Sequence, residues 1–298
     1  MLAAVSAITF ALLSSAGGDA LTSLRDNPQV SEETIEQLRQ HYGLDRPVVS
    51  RYLDWFGSLL TGDLGESFHF RSRVLPLVLS RLWNTILLGG AALVIAWSIA
   101  IGLSYLSALL KNRQLDRFIE LLILFTASTP RIVLALFALA LFVRSTGSAV
   151  EIRTGSLGSF FVSAFVLAVP LIALFLAQGH NELTSAMKED SIRMARAKGL
   201  SEPVIIRRHA SRFALNPLLT VFGLSLGGII GGSVVVETIL GWQGVGALMV
   251  TAVRARDVPL VMGIVVMTTL AVWLGNSIAE ILQLVNDKRL RDAEVNLG

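Results

Sequence analysis

Few residues in this chain have the type and spacing to do chemistry. Gly223-Leu224-Ser225-Leu226-Gly227 has the spacing of a nucleophile elbow, in which a serine on a tight turn attacks an acyl carbon. That chemistry needs a strand–turn–helix setting and a histidine base. The histidines are His41, His69, His180 and His209, and none lies well inside an apolar run. There is no Walker loop, no dinucleotide fingerprint and no metal-spaced cluster of His and Asp. With no cysteine, disulfide scaffolds and thiolate metal sites are excluded as well. The expectation is a chain with no catalytic residue, no metal ligand and no cofactor of its own. Two charged features remain: Arg131 inside an apolar run, and the polar stretch Asn181–Leu215.

That stretch carries Lys188, Arg193, Arg196, Lys198, Arg207, Arg208 and Arg212 against Glu182, Glu189, Asp190 and Glu202. Its local grammar is helix, glycine stop, second helix. Asn181 can cap the first helix, with Glu182 near the positive end of its dipole. Gly199 suits the left-handed residue that closes such a helix, with Lys198 in the last turn. Ser201 can cap the second, and Pro203 is tolerated in a first turn whose amides lack helical partners. Ala195 and Ala197 keep the end of the first helix slim, so that another protein can approach it. The same composition also suits a solvated basic loop held near anionic lipid.

The elements that must position this loop are membrane spans. The chain has 298 residues, 53% of them hydrophobic, which excludes an ordinary soluble domain. Spans are expected at about Thr85–Leu106, Leu121–Val143, Leu157–Leu176, Leu215–Val236 and Leu260–Leu284, each near the ~20 residues a helix needs to cross. Met1–Ser15 is apolar but short, reaching only ~22 Å at ~1.5 Å per residue. Counting it, the chain is an all-α membrane protein of about six transmembrane helices. Residues 1–83 form the short first segment and an external polar region, with helices expected after Ser31 and over Val48–Leu60. Residues 84–298 form the core. Lys111, Arg113 and Arg117, the basic loop 181–215, and Lys288, Arg289 and Arg291 all fall on one side if the spans alternate. The positive-inside rule makes that side cytoplasmic. In the fifth span, Gly223, Gly227 and Gly231 repeat at a spacing that lets helices approach closely in lipid.

The run Glu189-Asp190-Ser191-Ile192-Arg193-Met194-Ala195-Arg196-Ala197-Lys198-Gly199-Leu200-Ser201, followed by Arg208-His209-Ala210 and Pro217, resembles the cytoplasmic signature loop of ATP-binding-cassette importer permeases, above all their dipeptide/oligopeptide/nickel branch. Gly17-Gly18-Asp19, Gly43-Leu44-Asp45-Arg46-Pro47 and Gly62-Asp63-Leu64-Gly65-Glu66-Ser67-Phe68 resemble the family's first external region, and Glu237–Gly246 its last external loop. Asn276–Glu280 and Asp287–Arg291 also match. There are departures. Arg193 and Met194 stand where the general pattern has Glu-Ala, Gly17 and Ala20 take two proline places, and Gln243 takes a third. Family members begin with a few more residues, including arginines, so the resemblance implies either a true start upstream of Met1 or a clipped first span.

The resemblance implies a type I ABC importer permease fold in a bacterial or archaeal cytoplasmic membrane. It implies a second permease subunit, homologous or identical, two ABC ATPase subunits that hold ATP and Mg, and an extracytoplasmic substrate-binding protein. Arg193 to Ser201 would then form the coupling loop that docks on the ATPase, and the solute would be a peptide or a related small molecule. The alternative is a secondary, ion-coupled transporter, which needs paired acids near the bilayer midplane. Glu120, Glu237 and Glu280 all sit near span ends instead. Arg131 departs from the family, which has an apolar or aromatic residue after this proline. It is placed near the middle of the third span. Either it braces the kink at Pro130 or it faces the translocation pathway and attracts an anionic group.

Overall fold

A computed structural model describes residues 2–15, 31–41, 43, 45–147 and 156–286. The Gly17-Gly18-Asp19 cluster, Leu44 and the basic tail Asp287–Arg291 lie outside the described residues. The chain packs as two compact units, one of residues 1–85 with 243–271, the other of 86–242 with 272–298.

The first unit opens with α1 (Leu2–Ser15), a short apolar helix. Helix α2 (Glu32–His41) follows Ser31, whose hydroxyl accepts the Thr34 N–H at 3.2 Å. Helix α3 covers Val48–Leu60, as its amphipathic period indicates. It meets α1 through Tyr52, whose hydroxyl lies 3.0 Å from Ser6 Oγ and whose ring is 5.6 Å from Phe10. A two-residue hairpin then pairs β1 (Glu66–Ser67) with β2 (Ser72–Arg73). The same unit includes the short helix α11 (Val245–Arg254).

Chain continuity carries α4 (Val74–Leu110) from the first unit into the second, and α12 (Val258–Asn286) likewise. The second unit also contains α5 (Arg113–Ser128), α6 (Arg131–Thr146), α7 (Leu157–Ala186), α8 (Asp190–Ala197), α9 (Glu202–Ile205) and α10 (Ser211–Leu240). Helix α7 lies at its centre. Within its apolar window 61% of residues are buried, against 33% for each of the other three long apolar helices. Its Leu167, Leu171 and Phe175 share one core with Leu88, Ala92 and Ala96 of α4 and with Val236 and Leu240 of α10.

The span count comes out near the expected one but is built differently. Among the described residues, four helices are long and apolar enough to cross a membrane: Val74–Leu110, Leu157–Ala186, Pro217–Leu240 and Val258–Ile281. The pair α5 and α6, bent by 96°, makes a fifth when it is counted as one span. The third span, expected over Leu121–Val143 with a kink at Pro130, is bent far more sharply, into two helices. Asn112 caps α5 by accepting the Gln114 N–H at 2.9 Å. At its other end Thr129 and Pro130 are extended, and the Pro130 carbonyl starts α6 by accepting the Val133 and Leu134 amides. Hydropathy summed over 121–143 cannot register such a break, since both halves are apolar. Proline can, because it has no amide to continue the helix and disfavours helical geometry in the residue before it. Arg131 is accordingly the first residue of α6, at the break between the two halves.

Two further bounds shift. Helix α7 does not end near Leu176 but continues to Ala186, so Asn181 lies within it and caps nothing. Helix α4 begins at Val74, so a boundary at 83/84 falls inside one continuous helix.

Candidate functional site: a braced coupling ledge

The polar loop folds into a ledge with a dry underside. Helix α8 has Ile192 and Ala195 three residues apart, hence on one face, and both are buried. They pack with Leu183 and Ala186 at the end of α7 and with Ile205, Ile206 and Ala210 beyond the turn. Tyr105, Ala108 and Leu109 of α4 close this cluster from the membrane side. Ala195 thus serves the underside, which corrects the expectation that it slims the outer surface. Ala197 is exposed.

The outer face carries Arg193, Met194, Ala197, Lys198, Gly199 and Leu200. Met194 is 62% exposed and Leu200 40%, an unusual display of apolar surface on a charged loop. Arg193 holds Asp190 at 3.3 Å. Gly199 has a φ of +78°, the left-handed conformation that reverses the chain out of α8. Ser201 takes the N-cap place of α9 without a side-chain capping bond. The chain then passes through a π-turn at Ile206–Ala210 straight into α10. Such one-turn π insertions often sit at functional positions.

An ion triad braces the turn. Arg196 donates to Glu202 through Nε at 2.7 Å and Nη2 at 3.3 Å, a forked contact, while Lys111 Nζ donates to Glu202 Oε1 at 3.1 Å. The Arg196 hydrogen bond, helped by Lys111, holds the Glu202 carboxyl below the usual carboxylate range, and Glu202 in turn raises Arg196. Lys111 was legible only as a cytoplasmic positive charge. It sits in the left-handed region (φ 47°) at the end of α4, and the structure makes it a strut from that span to the ledge. No sequence signal links it to a residue 91 positions away.

The triad gives a signed expectation. Because the folded Glu202 pKa is depressed, its contribution is complete above the ordinary glutamate value of about 4.3 and fades as pH falls through the folded value. The groups are about one-third exposed, so the brace contributes only ~1 kcal/mol. Glu202→Gln is expected to speed hydrogen exchange over residues 195–205 about fivefold at pH 7, after correction for intrinsic rates. In acid, below the folded Glu202 value, the difference from the parent protein should vanish. An equal difference at both pH values would show that the triad does not brace the turn.

The other sequence-singled residues lie elsewhere in the second unit. Gly223 is buried, Gly227 is half-buried with space for a Cβ only 3.3 Å from Val272, and Gly231 has nothing within 4 Å. Ser225 is buried within helix α10 and donates to the Val221 carbonyl at 2.7 Å, so it occupies no elbow. Thr126 and Thr129 bond back to their own helix. The glycine that matters to Arg131 is Gly232: a Cβ there would overlap the guanidinium. Arg131 therefore lies against the α10 backbone at Gly232. Gly232→Ala is expected to swing the flexible end of Arg131 aside, at a cost that the ~1 kcal/mol helix-propensity gain of alanine over glycine largely offsets, so that thermal unfolding of the purified protein shifts little. A clearly lowered melting temperature would show that the guanidinium is held in place there.

Comparison with known proteins agrees with this architecture. The family described as "Binding-protein-dependent transport system inner membrane component" matches residues 100–292. The oligopeptide transport system permease protein AppB of Bacillus subtilis (strain 168) is 32% identical over 97% of this chain and 95% of its own. The di/tripeptide transport system permease protein DppB of Pseudomonas aeruginosa (strain UCBPP-PA14) is also 32% identical, over 96% of this chain and 94% of its own. Among solved structures, a chain of the MetNI methionine ABC transporter in inward facing conformations shares the fold with a TM-score of 0.53 at 18% identity, covering 70% of this chain and 96% of that one. The matched segment takes in the ledge, both halves of the bent span and the α7 and α10 helices that carry them. This chain belongs to the binding-protein-dependent transport system inner membrane components, and is a multi-pass permease subunit of an ABC importer.

Proposed function

We propose that the chain is one of two permease subunits of a peptide importer in a bacterial or archaeal cytoplasmic membrane. The second permease is homologous or identical. Two ATPase chains hold ATP and Mg, and a binding protein delivers the peptide from outside. This chain supplies no catalytic group; it supplies the path and the coupling. The names of its relatives support the substrate class.

The observation that carries the coupling role is the two-faced ledge. An apolar underside locks it to the ends of α4 and α7, while Met194, Ala197, Lys198 and Leu200 face outward around the Gly199 turn. A protein that grips that face moves the spans with it. Moving the bundle from 1:99 to 99:1 between two conformations takes ~5.5 kcal/mol of differential binding, which closure of the ATPases on ATP supplies. The test is reconstitution with the cognate ATPases and binding protein in proteoliposomes. Peptide uptake that requires ATP and binding protein, and persists when ion gradients are collapsed, is expected. Uptake abolished by a protonophore with ATP present would overturn this reading in favour of ion coupling.

A further inference from the structure

The part of α7 that sequence alone assigns to the loop has a polar face. Residues 180, 181, 184, 185 and 188 recur at helical spacing, so His180, Asn181, Thr184 and Ser185 line one side, with Lys188 just past the helix end. Opposite them stands Glu120 of α5, with the apolar Leu124 and Ala127 above it. Together they line an open vestibule of about 740 Å³ beside the end of α7.

These groups are uncommitted. Among the described residues, neither Glu120 nor Lys188 has an ion-pair or hydrogen-bond partner for its side chain, although the exposed Arg193 and Arg46 have found Asp190 and Asp54. Glu182, round the helix from this face, is already taken by Gln178 at 2.9 Å. The hydroxyls of Ser225, Thr238, Thr268 and Thr269 return to carbonyls of their own helices, whereas those of Thr184 and Ser185 make no such bond. The vestibule thus holds one unpaired acid, one unpaired base and a row of unengaged polar side chains. From residue 180 to the helix end at 186 the row runs ~9 Å, and an extended tripeptide spans ~10 Å.

We infer that this vestibule is a zwitterion site on the translocation pathway, where Glu120 receives the peptide ammonium and Lys188 the terminal carboxylate, with Asn181 and Thr184 between them for the peptide groups. The inference rests on the peptide reading above and assigns it residues. A site of this kind keeps both ends of a short peptide charged and hydrogen-bonded as it leaves the apolar bundle, which is cheaper than stripping them.

The experiment compares Glu120→Gln and Lys188→Met with the parent complex in proteoliposomes containing the ATPases and binding protein. The probe is a tripeptide library supplied unmodified, N-acetylated or C-terminally amidated, each rate taken relative to the parent for the same form. Glu120→Gln should slow the unmodified and amidated peptides about tenfold, the loss expected for one hydrogen bond to a charged group, and leave the acetylated form unchanged. Lys188→Met should slow the unmodified and acetylated forms and spare the amide. Equal losses for all three forms, or none, would overturn the site. If the parent complex shows binding-protein-stimulated ATP turnover but imports no unmodified peptide, the peptide reading itself fails, and this inference with it.

Discussion

Gly199→Val is expected to cut ATP-dependent uptake at least tenfold while the protein still inserts and melts as the parent does. The reason is backbone and not crowding, since a Cβ at this position meets nothing within 4 Å. What the substitution opposes is the φ of +78°, which an ordinary side chain adopts at a cost of about 1–2 kcal/mol and a β-branched one adopts least readily. The turn relieves that cost by tilting the end of α8. Ile192 and Ala195 remain packed, so the helix stays in place but Met194, Ala197 and Leu200 no longer present one surface. Binding-protein stimulation of ATP turnover should disappear together with uptake. Gly199→Asn provides the control, because asparagine tolerates the left-handed region and should recover a large part of both activities. Normal coupled transport in the valine variant, or asparagine performing no better than valine, would remove the turn from the coupling mechanism.

What could be read in the sequence was whatever depends on neighbours along the chain. The amphipathic period located α3 over Val48–Leu60 without error, and the Gly199 stop was visible from its local context. Features that depend on distant residues were not visible. Arg131 reads as a costly mid-span charge until Gly232, a hundred positions on, is seen to leave room for it. Lys111 reads as one more cytoplasmic charge until Glu202 is set beside it. The end of α7 was misplaced for a different reason. Span searches follow apolar residues, and a helix that leaves the bilayer with one polar face looks like loop as soon as that face begins. His180, Asn181, Thr184 and Ser185 form such a face, which is why apolar periodicity does not reveal the vestibule.

The buried Asp257 is the extreme case of a long-range tie, and its loss should have the largest structural effect in the chain. It is fully buried in the first unit and accepts three hydrogen bonds. Oδ2 takes the Ser67 hydroxyl at 2.6 Å and the His69 amide at 2.9 Å, while Oδ1 caps α12 through the Leu260 amide at 3.2 Å. One carboxylate therefore fixes the β1–β2 hairpin to the start of the last span, on the extracytoplasmic side by the charge rule. Asp257→Ala leaves three donors without their acceptor. Two of the three donors belong to the hairpin, and at about 1.5 kcal/mol for each bond to a charged group the hairpin should loosen by ~3 kcal/mol, seen as roughly hundredfold faster hydrogen exchange over residues 66–73. Asp257→Asn should recover little, because its amide nitrogen must face a donor on one side or the other. Ser67→Ala removes the bond to Asp257 and the one that Ser67 Oγ accepts from the Phe70 N–H at 3.0 Å, while the His69 tie to Asp257 remains, so its effect should be smaller than that of Asp257→Ala. Exchange over residues 190–205 should stay unchanged in all three, since the ledge packs within the other unit. Parent-like protection of the hairpin in Asp257→Ala would show that the turn holds itself, and the carboxylate would then be only a helix cap.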